Sequence, residues 1–578
     1  MAVPQAQDIA MAVVRDGSEN WMTERWANIG TGGLHAGNMN RDFESLMRSE
    51  GWSNYVEPYM LALSFKDPEG GIQPIDFPIL LPHEMLNALY HLNIELFYQI
   101  WIGDGGVSGI LEFWEMAFQN MPHLWNHPYA RKIRETPSLS LPFRLWGDEA
   151  PLTKHHSLGL FSISPVLTTM PSMSSRLLLY LYISGQLQSF DEIWDTLIWS
   201  FECLGEGIMP THDHKKKRLA PSSGKRFRLM GQEIAGGLMF FLAQVVGDVK
   251  HICETFGFDH IYHKANICFL CRAHRHRGLF SAFDFRPDAP WTLTMVLHEA
   301  YMRDIGQYLR VTRLPGFNIG CIQLDMMHIL ALGLLQIVLG SIFWNLCERK
   351  FFIPGIVGPW KHRFSAQLEV AFRDFSNFCR ANNINCSQRP FTIGRLSLKN
   401  LGSRPVFKSK ASNTFKVAKW MSNICVSIAS ANPSDVNRAQ SACIWAYVQF
   451  VDVCRCAPLW LRDSDRRELE FCRKTALFAH SVLAHEANAG RIPANLWATK
   501  PKCHYFDHLA RKCLSEKLNP CNHWVFADED FIGRIVRIVH HVGGSTRRLL
   551  AATLRYLVRM HCSFREWYEP VPDLDSIA

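Results

Sequence analysis

The chain lacks an apolar leader: Asp8, Arg15, Asp16 and Glu19 break up its first 25 residues, so no hydrophobic stretch of a secretion signal forms there. With no oxidising destination to expect, the 17 cysteines are read as free, buried or metal-bound thiols and not as a disulfide framework. No repeat of fixed period is present, which excludes solenoids and propellers. Residues 1–140 contain no paired Cys/His finger or other self-contained DNA reader. Charge of one sign is also scarce. A net +8 over 578 residues, with a pI near 8.7, permits a polyanionic partner without demanding one.

Apolar surface, by contrast, is plentiful. Hydrophobic residues make up 48% and charged residues 20%, and 18 Trp and 37 Phe supply the material for a large core. At roughly 100 to 200 residues per domain the length predicts three or four units. Residues 1–140 read as an α-rich lead-in, with helical patterns from Pro82 to Trp101 and from Gly109 to Met121. Residues 141–265 switch to short apolar runs, Leu141 to Trp146, Gly159 to Val166, Leu177 to Ile183 and Leu238 to Val246, which predict buried strands. Residues 266–500 are helical in pattern, as in Phe364 to Arg380, Val436 to Val453 and Ser464 to His485, with a basic, Ser-rich interruption from Arg395 to Lys416. Residues 501–578 close the chain with helices near Lys502 to Leu514 and Asp528 to His541. Met326 to Trp344 is long enough to span a bilayer. His328, Gln336 and the preceding Asp325 favour a helix buried in an all-α core instead, so no membrane is expected.

Four short patches carry the chemistry. Two apolar runs end in Gly-Asp, at Asp148 and Asp248, where a strand can deliver a carboxylate to a sheet edge; Asp528, Glu529 and Asp530 open a late helix. Taken singly, each is an ordinary turn or cap. Together, Asp148, Asp248 and Glu529 could hold the divalent ions of two-metal phosphoryl chemistry, Mg2+ or Mn2+. Cys268 and Cys271 have the Cys-x2-Cys spacing that grips one tetrahedral ion, and His504 and His508 share a helix face at i, i+4. They complete a Cys2His2 shell for structural Zn2+, with His274, His276 and Cys503 as competing ligands. Asp325 and His328, at i, i+3, read either as a buried cap or as groups facing the site, and Asp325 is the reserve second acid. Basic clusters at 215–218, 225–228, 272–277, 399–410 and 534–548 together favour a nucleic-acid partner, with those around 215–228, 272–277 and 534–548 expected to contact phosphates, although any one alone is commonly a solvated loop.

In this order the patches resemble the transposases of the CACTA (En/Spm) and KDZ-like groups, which share a broader layout with the recombinase of antigen-receptor gene assembly and its Transib relatives. The resemblance runs from about Leu141 to Val558. It rests on Leu145-Trp-Gly-Asp148, on Gly247-Asp248 followed twenty residues later by Cys268, on Leu324-Asp325-Met-Met-His328, and on His508 preceding Glu529 by 21 residues. It implies an α/β RNase H-like core, a mixed sheet flanked by helices, interrupted by a large all-α insertion. It also ranks Asp248 above Asp325 as second acid and favours Glu529 over Asp528 and Asp530 as third. The implied function is metal-dependent DNA cleavage and strand transfer by a homodimer or higher oligomer acting on transposon ends and target, in the nucleus or otherwise the cytoplasm. Two rivals stand beside it: a domesticated, inactive descendant that binds DNA or protein, and an α-rich membrane-associated scaffold.

Overall fold

Strands β3 (Ser140–Pro151), β4 (Ser157–Pro165), β5 (Leu177–Ile183) and β6 (Met239–Gly247) form where the four apolar runs lie. They are buried almost throughout their lengths, the signature of a sheet covered on both faces. The computed structural model describes residues 56–66, 70–168, 172–258, 265–276 and 278–565, and only scattered positions before 56. In it the four strands join β1 (Tyr59–Lys66), β2 (Ile72–Ile79) and β7 (Ile322–Leu324) in one seven-stranded mixed sheet of order β1-β2-β5-β4-β3-β6-β7. β3, β4 and β5 form an antiparallel meander, while β6 and then β7 (Ile322–Leu324) run parallel to β3.

The α-rich lead-in also supplies two strands to the sheet. β1 (Tyr59–Lys66) and β2 (Ile72–Ile79) form a hairpin that extends the sheet beyond β5. β1 alternates between buried and exposed positions, as an edge strand with one wet face should. β2 contains Pro74 and Pro78, which read as turns in sequence. It meets β5 only at Ile79, so over most of its length a missing N–H costs no second ladder. The sheet likewise takes β7 from within 266–500, so that stretch is not all helix.

The longer helices follow the periodic segments. The pattern from Pro82 to Trp101 divides into α1 (Pro82–Leu92) and α2 (Ile94–Trp101) at Asn93, whose side chain caps α2 by accepting from Leu96 N at 3.0 Å. α3 (Gly106–Asn120), α4 (Asp191–Glu206) and α5 (Val249–Thr255) follow. The long apolar stretch becomes α6 (Met327–Glu348), long and apolar enough to cross a membrane yet 78% buried over its most apolar window. Its first eight residues are wound as a π-helix. Against it pack α7 (Trp360–Ala381), α8 (Ala411–Ala431), α9 (Asp435–Cys456) and, after α10 (Asp463–Asn488), which lies on α9, α11 (Pro501–Glu516). α6 is therefore the axis of a helical body. α12 (Phe526–Val542) and α13 (Leu549–Arg565) return to the sheet, against β3 and against β2 and β5 respectively.

Candidate active site and metal centre

Parallel pairing of β3 with β6 sets the first two acids side by side. The last register pair is Trp146 with Val246, each strand continues through a glycine, and each glycine is followed by an aspartate. The glycines are required by close approach. A Cβ on Gly247 would lie 3.2 Å from Gly147 O, and one on Gly147 would lie 2.5 Å from His251 Nε2. Asp248 caps α5, accepting from His251 N at 2.5 Å.

The first turn of α12 resolves the choice among three neighbouring acids, because successive helical residues point about 100° apart. Asp528 is buried and accepts a forked pair of bonds from Arg176, at 2.9 and 3.3 Å. Asp530 lies outside and meets Arg534 at 2.7 Å. Glu529 turns inward. One donor atom each of Asp148, His328 and Glu529 lies within 4.8 Å of the others. Asp248 stands outside that group but bears on both carboxylates through its charge.

Asp325 is a buried organiser and not a member of this group. It accepts from Met327 N (3.0 Å), His328 N (2.7 Å) and His328 Nδ1 (2.7 Å), and from Val525 N (3.1 Å) at the head of α12. One carboxylate therefore caps α6, fixes the His328 ring and anchors the helix that bears Glu529. With Nδ1 engaged, His328 Nε2 faces Glu529 at 3.6 Å. Lys502 donates to His328 O at 2.7 Å and Leu332 O at 3.4 Å, supplying a partner to carbonyls of the π turns.

Electrostatics mark the group as strained for negative charge. Burial, then Asp248 and then Glu529, push the Asp148 carboxyl well above its ordinary range. Burial also raises Glu529, against the pull of His328. Burial opposes the charged form of His328, but its bond to Asp325 and the charges of Asp325, Glu529 and Asp148 outweigh this and lift it to about 9. His251, behind Gly147, is held by burial down at about 4.

The second cluster comprises Cys268, Cys271, His504 and His508, all buried. Cys268 Sγ lies 3.4 Å from His508 Nε2 and Cys271 Sγ 3.3 Å from both imidazole Nε2 atoms, which are 3.0 Å apart. A tetrahedral ion with ordinary Zn–S and Zn–N bonds has ligand edges of about 3.6 Å for S···N and about 3.3 Å for N···N, so these four atoms suit one ion. His504 Nδ1 bonds Ala282 O at 3.0 Å, leaving Nε2 for the centre, and Leu270 N donates to Cys268 Sγ at 3.3 Å. Trp291 closes one side, 4.5 and 4.7 Å from the two imidazole rings. The expected competitors lie elsewhere: Cys503 neighbours Cys443 and Tyr447, and His274 and His276 are outside the group.

Several expected cations prove to be engaged locally. Arg226 grips Glu84 at 2.6 and 3.0 Å, Lys215 meets Glu192 at 2.6 Å, and Arg548 donates to Val542 O at 2.8 Å. Sequence reading missed Arg176, His251 and Lys502. Only His251 had a local signal, three residues after Asp248 on the turn that acid caps. The four acid and ligand patches thus converge on two sites beside one another in chain order, α11 supplying the imidazoles and α12 the glutamate. No family model and no curated protein matches this chain.

Proposed function

We propose that the chain is the catalytic core of a DDE/D-type DNA transposase. The observation that carries this reading is the meeting of Glu529, remote in sequence, with Asp148 of β3, just past the point where β3 stops pairing with β6, while β6 delivers Asp248 alongside. The order β5-β4-β3-β6-β7, a meander followed by two parallel strands, is the arrangement expected of an RNase H-like core. Asp148, Asp248 and Glu529 would hold two Mg2+ or Mn2+ ions, which supply Lewis-acid charge at a scissile phosphate when bound. The residues fit cations: Glu529 Oε1 is buried with no hydrogen-bond partner, and the charges of Asp248 and Glu529 push the Asp148 carboxyl up. The reaction is hydrolysis at an element end, then attack of the freed 3′-hydroxyl on a target phosphodiester. Asp325 orients His328 so that Nε2 can hold a proton against the carboxylates.

Cys268, Cys271, His504 and His508 would hold a structural Zn2+. The ion would tie the segment before β7 to α11, and so limit where α12 can place Glu529. Joining two element ends calls for a homodimer or higher oligomer, and a nuclear site of action.

The test is nicking of supercoiled DNA with Mn2+. Wild type and Asp530→Ala should nick; Asp148→Ala, Asp248→Ala and Glu529→Gln should each lose at least about 100-fold, the scale of removing an essential charged group. Nicking that survives all three losses would sink the assignment. For the clamp, elemental analysis should find about one zinc per chain, lost together with several kcal/mol of stability in Cys268→Ser or His508→Ala; unchanged zinc content would refute it.

A further inference from the structure

From 375 to 434 the chain contains no Asp or Glu, although Arg380, Arg389, Arg395, Lys399, Arg404, Lys408, Lys410, Lys416 and Lys419 lie within it. A surface cation elsewhere in this molecule commonly meets a carboxylate, as Lys215, Arg226 and Arg534 do. Between α7 and α8 this balance fails. Among the described residues, no ion pair involves Arg389, Arg395, Lys399, Arg404, Lys408 or Lys410.

The segment is built and not loose. Phe391, Leu396, Leu398 and Phe407 are buried, with Phe391 and Phe407 against Phe343 of α6 at 4.9 and 5.3 Å. Lys408 N donates to Arg395 O at 2.7 Å and Arg395 Nη1 to Lys408 O at 3.3 Å, so two basic residues are held side by side. They line an open groove of about 500 Å³ with Arg389, Thr392, Pro390 and Gly394. Holding cations together with no acid among them costs electrostatic free energy, and a polyanion repays it.

The groove also has a defined relation to the acids. Phe407 N donates to Gln336 O at 2.8 Å and Gln336 Nε2 to Ser409 O at 3.2 Å; Gln336 lies on α6, eight residues beyond His328 and on the order of 10 Å along the axis. Gly340 permits this docking, because a Cβ there would lie 2.7 Å from the Pro405 carbonyl. Beyond the groove, Phe415 of α8 packs on Phe526, the first residue of the helix that bears Glu529.

Resting on the reading of DNA as substrate, we propose that Arg389, Arg395 and Lys408 form a phosphate track for double-stranded DNA flanking the cleavage point. The contact is with backbone and independent of base sequence. The experiment measures binding of the full chain to a short duplex across a salt series, without divalent ions, and nicking of supercoiled DNA with Mn2+. Wild type is compared with R389E/R395E/K408E and with a charge-matched control on exposed cations outside the basic clusters, R131E/R303E/R467E. Three lost phosphate contacts should reduce the slope of log K against log salt by about 2 to 3, with affinity falling at least about 100-fold near 100 mM salt and the control changing far less. A milder triple change to Gln should give an intermediate loss, which guards against misfolding in the Glu variant. Groove variants that bind with wild-type slope, or a wild type that does not bind duplex, overturn the track. Nicking by wild type with unaltered groove-variant binding sinks the track alone; groove-dependent binding with no nicking sinks the enzyme reading alone.

Discussion

Gly147 decides more about the candidate site than its lack of a side chain suggests. A Cβ there would fall 2.5 Å from His251 Nε2 and 2.7 Å from Phe161, both wedged behind the stretch of β3 that presents Asp148. Gly147→Ala should therefore cost about 1 to 3 kcal/mol by overpacking, seen as a lower thermal midpoint, with Asp148 displaced along with it; an unchanged midpoint would show that the wedge yields freely. The same scale explains Asp528 and Asp530, which share with Glu529 the composition of a metal site but not its direction. One is turned to Arg176 and the other to Arg534. Helical phase, a property of three consecutive residues, separates roles that the letters Asp-Glu-Asp leave equal.

Among the elements, α11 carries two functions on adjoining faces. His504 and His508 face the Cys pair, while Asp507 between them is buried and accepts from Arg473 of α10 and from Arg511 at 3.2 Å. Asp507→Ala would leave the Arg473 guanidinium, itself buried, short of a carboxylate, at a cost of about 3 to 5 kcal/mol. Denaturant unfolding should register this loss while zinc content stays near wild type; a variant of wild-type stability would show that Glu470 alone suffices for Arg473. Elements with strong period were legible: α7, α9, α10, α11 and α12 lie where apolar spacing placed them, and β3 to β6 where unbroken apolar runs did. The β1–β2 hairpin was not, because its prolines and wet face weaken the strand signal. β7 was not either, since three residues hold too few alternations to show a period.

Across the whole molecule, buried histidines set the acid limit. His83, His123 and His523 are held by burial at about 3 and His480 at about 4, far below the ordinary value near 6.5. At these rings the unfolded chain takes up protons that the native chain refuses, so their contribution to stability is full above pH 6.5 and falls as pH drops below it, by up to about 1.4 kcal/mol per pH unit for each histidine. Thermal midpoints recorded from pH 7 to 5 should decline steadily, and less so in His480→Gln; a flat profile would mean these rings ionise inside the fold. The sequence by itself determined the inventory: the acids after Gly, the Cys-x2-Cys and i, i+4 His pairs, the periodic helices and the acid-free basic stretch are all local facts of spacing and composition. Only the tertiary structure decided which of them meet. Whether Glu529 reaches Asp148, whether two thiols and two imidazoles from distant segments close on one point, and whether a cation finds a carboxylate depend on parallel pairing of β3 with β6 and on the burial of α6. Those are long-range contacts, and no window of sequence contains both partners.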